Sequence, residues 1–130
     1  MRRNGKPLHK FVILVAEDDY LQALAIEELL SAAGAKVVGP ATTLEKAVAL
    51  ATQEHFNCAV LDVRLKDEDI DVVAMVIEEQ GKGFVFITGS EPIPLLRKWP
   101  SAQVVSKPYS EPELIEAIKI ACKGSARKAA

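Results

Sequence analysis

The chain lacks the marks of a membrane protein, a nucleic-acid binder, a zinc protein and a dinucleotide enzyme. No apolar stretch approaches the roughly 20 residues that cross a bilayer. Arg2, Arg3, Lys6 and Lys10 give a basic start, but the apolar run after them ends at Glu17, too soon for a secretory signal. The formal net charge is -2, too mild for a nucleic-acid surface or an anionic-membrane binder. Cys58 and Cys122 lie inside apolar segments and read as buried small hydrophobes rather than as a disulfide, which suits a reducing cytoplasm. His9 and His55 stand alone, which argues against zinc. No glycine-rich turn follows the first apolar run, so a dinucleotide fingerprint is absent.

What remains is an alternation of strand and helix, five times over, in 130 residues that fit one domain. Phe11 to Ala16 is a continuous apolar run, as expected of a parallel strand buried on both faces. Asp19 caps the following helix, whose apolar face reads as Leu21, Leu24, Ala25, Leu29 and Ala32, and Gly34 stops it. Lys36 to Val38 is a short second strand. Thr42 or Thr43 opens a helix with Leu44, Ala47, Val48 and Ala51 inward. Phe56 to Leu61 is the third strand, and the polar stretch Lys66 to Asp69 reads as solvated loop. A helix from Ile70 to Gln80 follows, with Val72, Val73, Val76 and Ile77 inward, then a fourth strand from Phe84 to Ile87. Pro92, Pro94 and Pro100 limit the next segment to one or two helical turns. The fifth strand is Ala102 to Val105. Ser110 and Glu113 form a capping box for a last helix lined by Leu114, Ile118 and Ala121.

This pattern specifies an α/β fold: a doubly wound, five-stranded parallel sheet in the flavodoxin-like order 2-1-3-4-5, a (βα)5 chain with an irregular or shortened fourth helix. Residues 1–10 read as a flexible arm, 11–122 as the domain and 123–130 as a flexible tail. Right-handed crossovers put all the strand-to-helix loops on one edge. Those loops carry Glu17, Asp18 and Asp19 after strand one, Asp62 after strand three, Thr88 after strand four and Lys107 after strand five. Oxygen-only carboxylates select a hard ion, magnesium first and manganese second. Asp62 has one oxygen for the metal and one to attack phosphorus. Lys107 and Thr88 can then hold phosphoryl oxygens, while Gly89 leaves the approach uncrowded. No strong acid is present for a poor leaving group, so the donor is an activated one such as a phosphohistidine.

With these four motifs in order, the chain resembles the receiver domain of bacterial two-component response regulators, from Phe11 to about Cys122. The acidic pair matches Glu17 and Asp18, the phosphoacceptor matches Asp62 in LDVRL, the switch residue matches Thr88 and the lysine matches Lys107 in SKPY. The resemblance implies that Asp18, Asp62 and the backbone carbonyl of Arg64 bind magnesium directly, with Glu17 acting through a water. It also implies a cis Lys107–Pro108 bond, a histidine kinase as donor, and a downstream protein or phosphotransfer partner, with a homodimer as an option. FVFITG around Thr88 resembles the alphaproteobacterial single-domain receivers with a Phe-Ala-Thr-Gly motif, Ile87 replacing the alanine. That implies kinases of the HWE type.

The chain departs from the common pattern at Lys66, where a proline is usual, and at Val104, where the switch aromatic is usual. Arg64 and Ser90 flank the pocket at positions that tune dephosphorylation in the family. Trp99 either packs the short fourth segment on the sheet or contacts a partner. Tyr109 either belongs to the partner surface or covers strand five. Movement of Thr88 would then be read out by the segment from Glu91 to Trp99. The leading expectation is a stand-alone, cytoplasmic receiver that signals through a protein partner or relays phosphoryl groups. Its enzymatic activity is limited to taking and losing its own phosphoryl group. An interaction module with vestigial phosphorylation is the alternative. A metal phosphohydrolase is disfavoured, because the nucleophile Asp62 opens no Asp-x-Asp pair (Val63 and Arg64 follow it) and no acid stands near it.

Overall fold

The computed structural model describes residues 6–65, 69–89, 93–100 and 102–129. Five strands alternate with five helices: β1 (Val12–Ala16), α1 (Tyr20–Ala32), β2 (Lys36–Ala41), α2 (Leu44–Gln53), β3 (Cys58–Asp62), α3 (Asp71–Glu79), β4 (Gly83–Thr88), α4 (Ile93–Lys98), β5 (Gln103–Ser106) and α5 (Glu111–Ala129). All neighbouring strands pair in parallel, in the order β2-β1-β3-β4-β5, as expected. No described helix is long and apolar enough to cross a membrane.

The continuous apolar runs become central strands because both faces are covered. Every residue of β3 is buried. Odd and even positions divide between two core clusters, as a two-residue strand period demands. Ile13, Val15, Cys58, Val60, Val85 and Ile87 pack beneath α1 and α5. Leu14, Ala59, Leu61, Phe84 and Phe86 pack beneath α2, α3 and the end of α4. Each fully buried Leu, Ile or Phe contributes about 2 kcal/mol by leaving water, so the strands fix the positions of whatever residues follow them.

The caps form as read. Asp19 Oδ1 accepts from Gln22 N–H at 3.0 Å, Thr43 Oγ1 accepts from Lys46 N–H at 3.1 Å, and Ser110 and Glu113 bond reciprocally. Gly34 ends α1 at φ +100°, a conformation that favours glycine. The fourth helix is six residues long, within the expected two turns.

Several expectations are corrected. The buried stripe of α1 is Ala23, Ile26 and Leu30, while Leu21 and Leu24 are exposed. That helix is apolar on nearly every side, so periodicity could not choose a face. On α3, Val72 is exposed and Ala74 takes the inward place. Strand β2 runs three residues further, through a cis Gly39–Pro40 bond. Leu8, assigned to a loose arm, is fully buried, and its N–H donates to the Ala33 carbonyl at 2.8 Å. At the other end α5 continues to Ala129, past the expected boundary at 122. Cys58 and Cys122 are buried as expected, but their sulfurs are joined in a disulfide, contrary to expectation. The fold stacks the end of α5 over the start of β3, a proximity that a separation of 64 residues hides. Asp71 lies in α3, as the helix expected from Ile70 implies, but it is not merely solvated: Trp99 and Lys98 both bind its carboxylate.

Candidate functional site

The site is assembled from strand ends. Asp62 is the last residue of β3 and pairs with Ile87 of β4. Thr88 closes β4 and pairs with Ser106 of β5. The next N–H along β5, that of Lys107, donates to the Thr88 carbonyl at 2.8 Å. On the other side, Glu17 follows β1, and its N–H donates to Ala41 at 2.9 Å. Parallel register thus brings residues 17, 62, 88 and 107 to one edge, although up to 90 positions separate them.

Glu17, Asp18 and Asp62 each offer a carboxylate oxygen, and these atoms all lie within 4.8 Å of one another. Glu17 and Asp62 are buried, Asp18 is half-buried, and Thr88 is buried beside them. One Glu17 oxygen, Oε2, accepts from Asp19 N–H at 3.1 Å. The other, Oε1, is buried without a hydrogen-bond partner. The Lys107 ammonium approaches it at 3.9 Å, close enough for an ion pair and too far for a hydrogen bond. Burial pushes the Glu17 carboxyl from 4.5 to about 7, with the neighbouring Asp62 carboxylate adding to the rise. The Asp19 N–H and the Lys107 charge oppose it. A buried carboxylate oxygen with no donor, among other carboxylates, is the arrangement that a hard cation relieves.

Arg64 sits in the turn after Asp62 and its N–H donates to Asp62 Oδ1 at 3.1 Å, while its side chain is exposed beside the pocket. Tyr109 is half-buried, and burial, reinforced by the Glu17 charge, pushes its hydroxyl pKa up. Lys107–Pro108 is cis. Val104 is half-buried, pairs with Phe86 and packs in the same cluster as Trp99. Trp99 is buried against the sheet rather than exposed, 5.6 Å from the Phe84 ring. Ser90, Glu91, Pro92 and Lys66 to Glu68 lie outside the described residues. Asp71 was missed as the partner of Trp99 and Lys98. An acidic residue in a first helical turn carries no local sign of a partner 28 positions away.

The sequence model of the response regulator receiver domain matches residues 13–119. The chain belongs to this family. Within it, the transcriptional regulatory protein PdtaR of Mycobacterium tuberculosis is 28% identical over 113 residues, which cover 84% of this receiver and 55% of PdtaR. The receiver therefore spans about half the length of the curated relatives it matches. A response regulator receiver protein from Sinorhizobium medicae superposes with a TM-score of 0.80 at 24% identity, over 88% of this chain and 96% of that one. The response regulator PhyR from Brucella abortus superposes at 0.78 and 25% identity, over 95% of this chain and 53% of PhyR. Receivers bind magnesium through an acidic pocket, and Glu17, Asp18 and Asp62 form such a group here. Family membership also implies a histidine kinase or a phosphotransfer protein as partner in general terms.

Proposed function

We propose that this receiver accepts a phosphoryl group on Asp62 from a phosphohistidine and signals, or passes the group on, while that acyl phosphate lasts. The observation that carries the reading is the convergence of three carboxylates with Lys107 at one sheet edge where Thr88 also ends its strand. Asp18 and Asp62, with the Arg64 carbonyl, would hold magnesium, and Glu17 would act through a water. The bound ion would supply the positive charge that lets an anionic carboxylate meet an anionic phosphoryl group. The free Asp62 oxygen attacks phosphorus, the bond from phosphorus to the imidazole nitrogen breaks, and the electron pair returns to the ring. Lys107 supplies a compact cation and Thr88 a hydroxyl for phosphoryl oxygens. Arg64, whose side chain is exposed, and Ser90 at its sequence position then govern how water reaches the acyl phosphate.

The strand sequence FVFITG, the six-residue α4 and the likeness to PhyR support a place among the Phe-Ala-Thr-Gly receivers, with an HWE-type kinase as donor in the cytoplasm. The test is intact mass after incubation with magnesium and acetyl phosphate, wild type beside Asp62→Ala. One added phosphoryl mass in the wild type alone is expected. Equal modification of both proteins, or of neither with any donor or kinase, would overturn the reading.

A further inference from the structure

Trp99 touches two routes out of the site. Its ring lies against Phe84 and Phe86, with centroids 5.6 and 6.5 Å away. Phe84, Phe86 and Thr88 alternate along β4 and share one face of it. That is the first route. The second begins at Asp62, whose Oδ1 accepts from Arg64 in the turn leading towards α3. Asp71 opens α3, and its Oδ1 accepts from the Trp99 indole N–H at 2.9 Å. Its Oδ2 pairs with the Lys98 ammonium. One carboxylate therefore receives both polar groups from the end of α4. Burial acts to raise the Asp71 pKa, but Lys98 and Trp99 outweigh it and hold the carboxyl below the usual range, so the contact is charge-assisted at neutral pH.

We propose that Trp99 and Asp71 form a latch that holds the end of α4 down in the resting chain and opens when Asp62 is phosphorylated. The inference rests on the phosphoacceptor reading above. It assigns to Trp99 the relay role for which β5 offers only Val104. Phosphorylation adds a phosphoryl group to one Asp62 carboxylate oxygen, and the resulting acyl phosphate alters the Asp62 turn and draws on the Thr88 hydroxyl. The first change reaches Asp71 through the start of α3, and the second reaches the Trp99 ring through the Phe84 and Phe86 face. A close-packed ring cannot follow both displacements smoothly, so it exchanges one packing for another. The surface that changes is that of α4, where Pro94, Leu96 and Arg97 are exposed.

The chain has a single tryptophan, so its indole 1H–15N resonance reports the bond without further assignment. Wild-type protein is followed in magnesium and acetyl phosphate, with intact mass taken on the same sample. The indole resonance should move towards its position in unphosphorylated Asp71→Ala, and amide exchange over Ile93–Lys98 should rise about tenfold, as expected for release of a locally stabilised segment. Should Asp71→Ala fold poorly, Asp71→Asn keeps an acceptor without the charge and should shift the resonance part of the way. A stationary indole resonance at full phosphorylation overturns the latch and leaves the phosphoacceptor standing. No gain of mass in the wild type with acetyl phosphate or with any other donor or kinase overturns both.

Discussion

The two layers that cover the sheet are fastened to different degrees. The layer of α1 and α5 has helices of 13 and 19 residues, a covalent bond from Cys58 to Cys122, and Gly83 pressed against the backbone of Ala121. The layer of α2, α3 and α4 has helices of 10, 9 and 6 residues. It is tied by side chains: Gln80 donates to the Ala51 carbonyl at 2.8 Å, and Trp99 to Asp71 at 2.9 Å. The acidic pocket lies where both layers end. Chemistry that needs carboxylates held within a few tenths of an ångström draws on the strands, which both layers bury. A response that needs motion draws on the layer with the weaker fastenings, since local opening follows local stability.

The largest effect should come from attacking the tight layer. A methyl group at Gly83 would run into the Ala121 carbonyl, a backbone atom that cannot turn aside. Gly83→Ala should cost about 3 kcal/mol or more, read from the urea midpoint. A cost below about 1 kcal/mol would show that α5 is not pressed on β4, and the contrast between layers would fail.

The pocket itself should respond next. The metal-free folded chain holds the Glu17 carboxyl at about 7 against 4.5 in an exposed setting, so it binds a proton that the unfolded chain has released. Stability of the metal-free protein therefore falls as pH rises from about 4.5 to about 7. Glu17→Gln removes that burden and should raise metal-free stability at pH 7.5 by up to about 3 kcal/mol, with no gain below pH 4.5. The same variant should weaken stabilisation by magnesium. Thermal unfolding in chelator and in magnesium, across pH, reads both effects.

In the looser layer, Asp71→Ala should cost about 1 to 2 kcal/mol, because it leaves the Trp99 indole N–H buried without an acceptor. A carboxyl held below 3.8 adds stability that is fully present above that pH and is lost as pH falls through its lowered value. Tryptophan emission should accordingly change on acidification below about 4 in the wild type and not in Asp71→Ala. The smallest effect belongs to Gly89, where an added Cβ meets nothing within 4 Å. Gly89→Ala should stay within about 0.5 kcal/mol by thermal unfolding, and loss of phosphorylation in that variant would show that the approach to Asp62 is narrower than its geometry indicates.

The strands and the site were legible in the sequence for one reason. Buried parallel strands are continuous apolar runs, and each site residue stands at or just beyond the end of one. The sequence alone therefore puts Glu17, Asp62, Thr88 and Lys107 on one edge. Helix faces were legible where polar residues marked the outside, as with Ala47 and Ala51 on α2. They were illegible on α1, where Leu21 and Ile26 look alike in sequence and differ only in what lies opposite. Leu8, Asp71 and the pairing of Cys58 with Cys122 escaped because each depends on contact between distant segments. Nothing local distinguishes an aspartate that caps empty solvent from one that receives an indole.

The alternation of β4 has a consequence for how such a chain can change over time. Phe84, Phe86 and Thr88 belong to one layer, and Val85 and Ile87 to the other. Substitutions on the two faces do not share neighbours, so their effects should largely add rather than interfere. The layer proposed to carry the message could be rewritten for a new listener while the layer fastened by the disulfide is inherited intact.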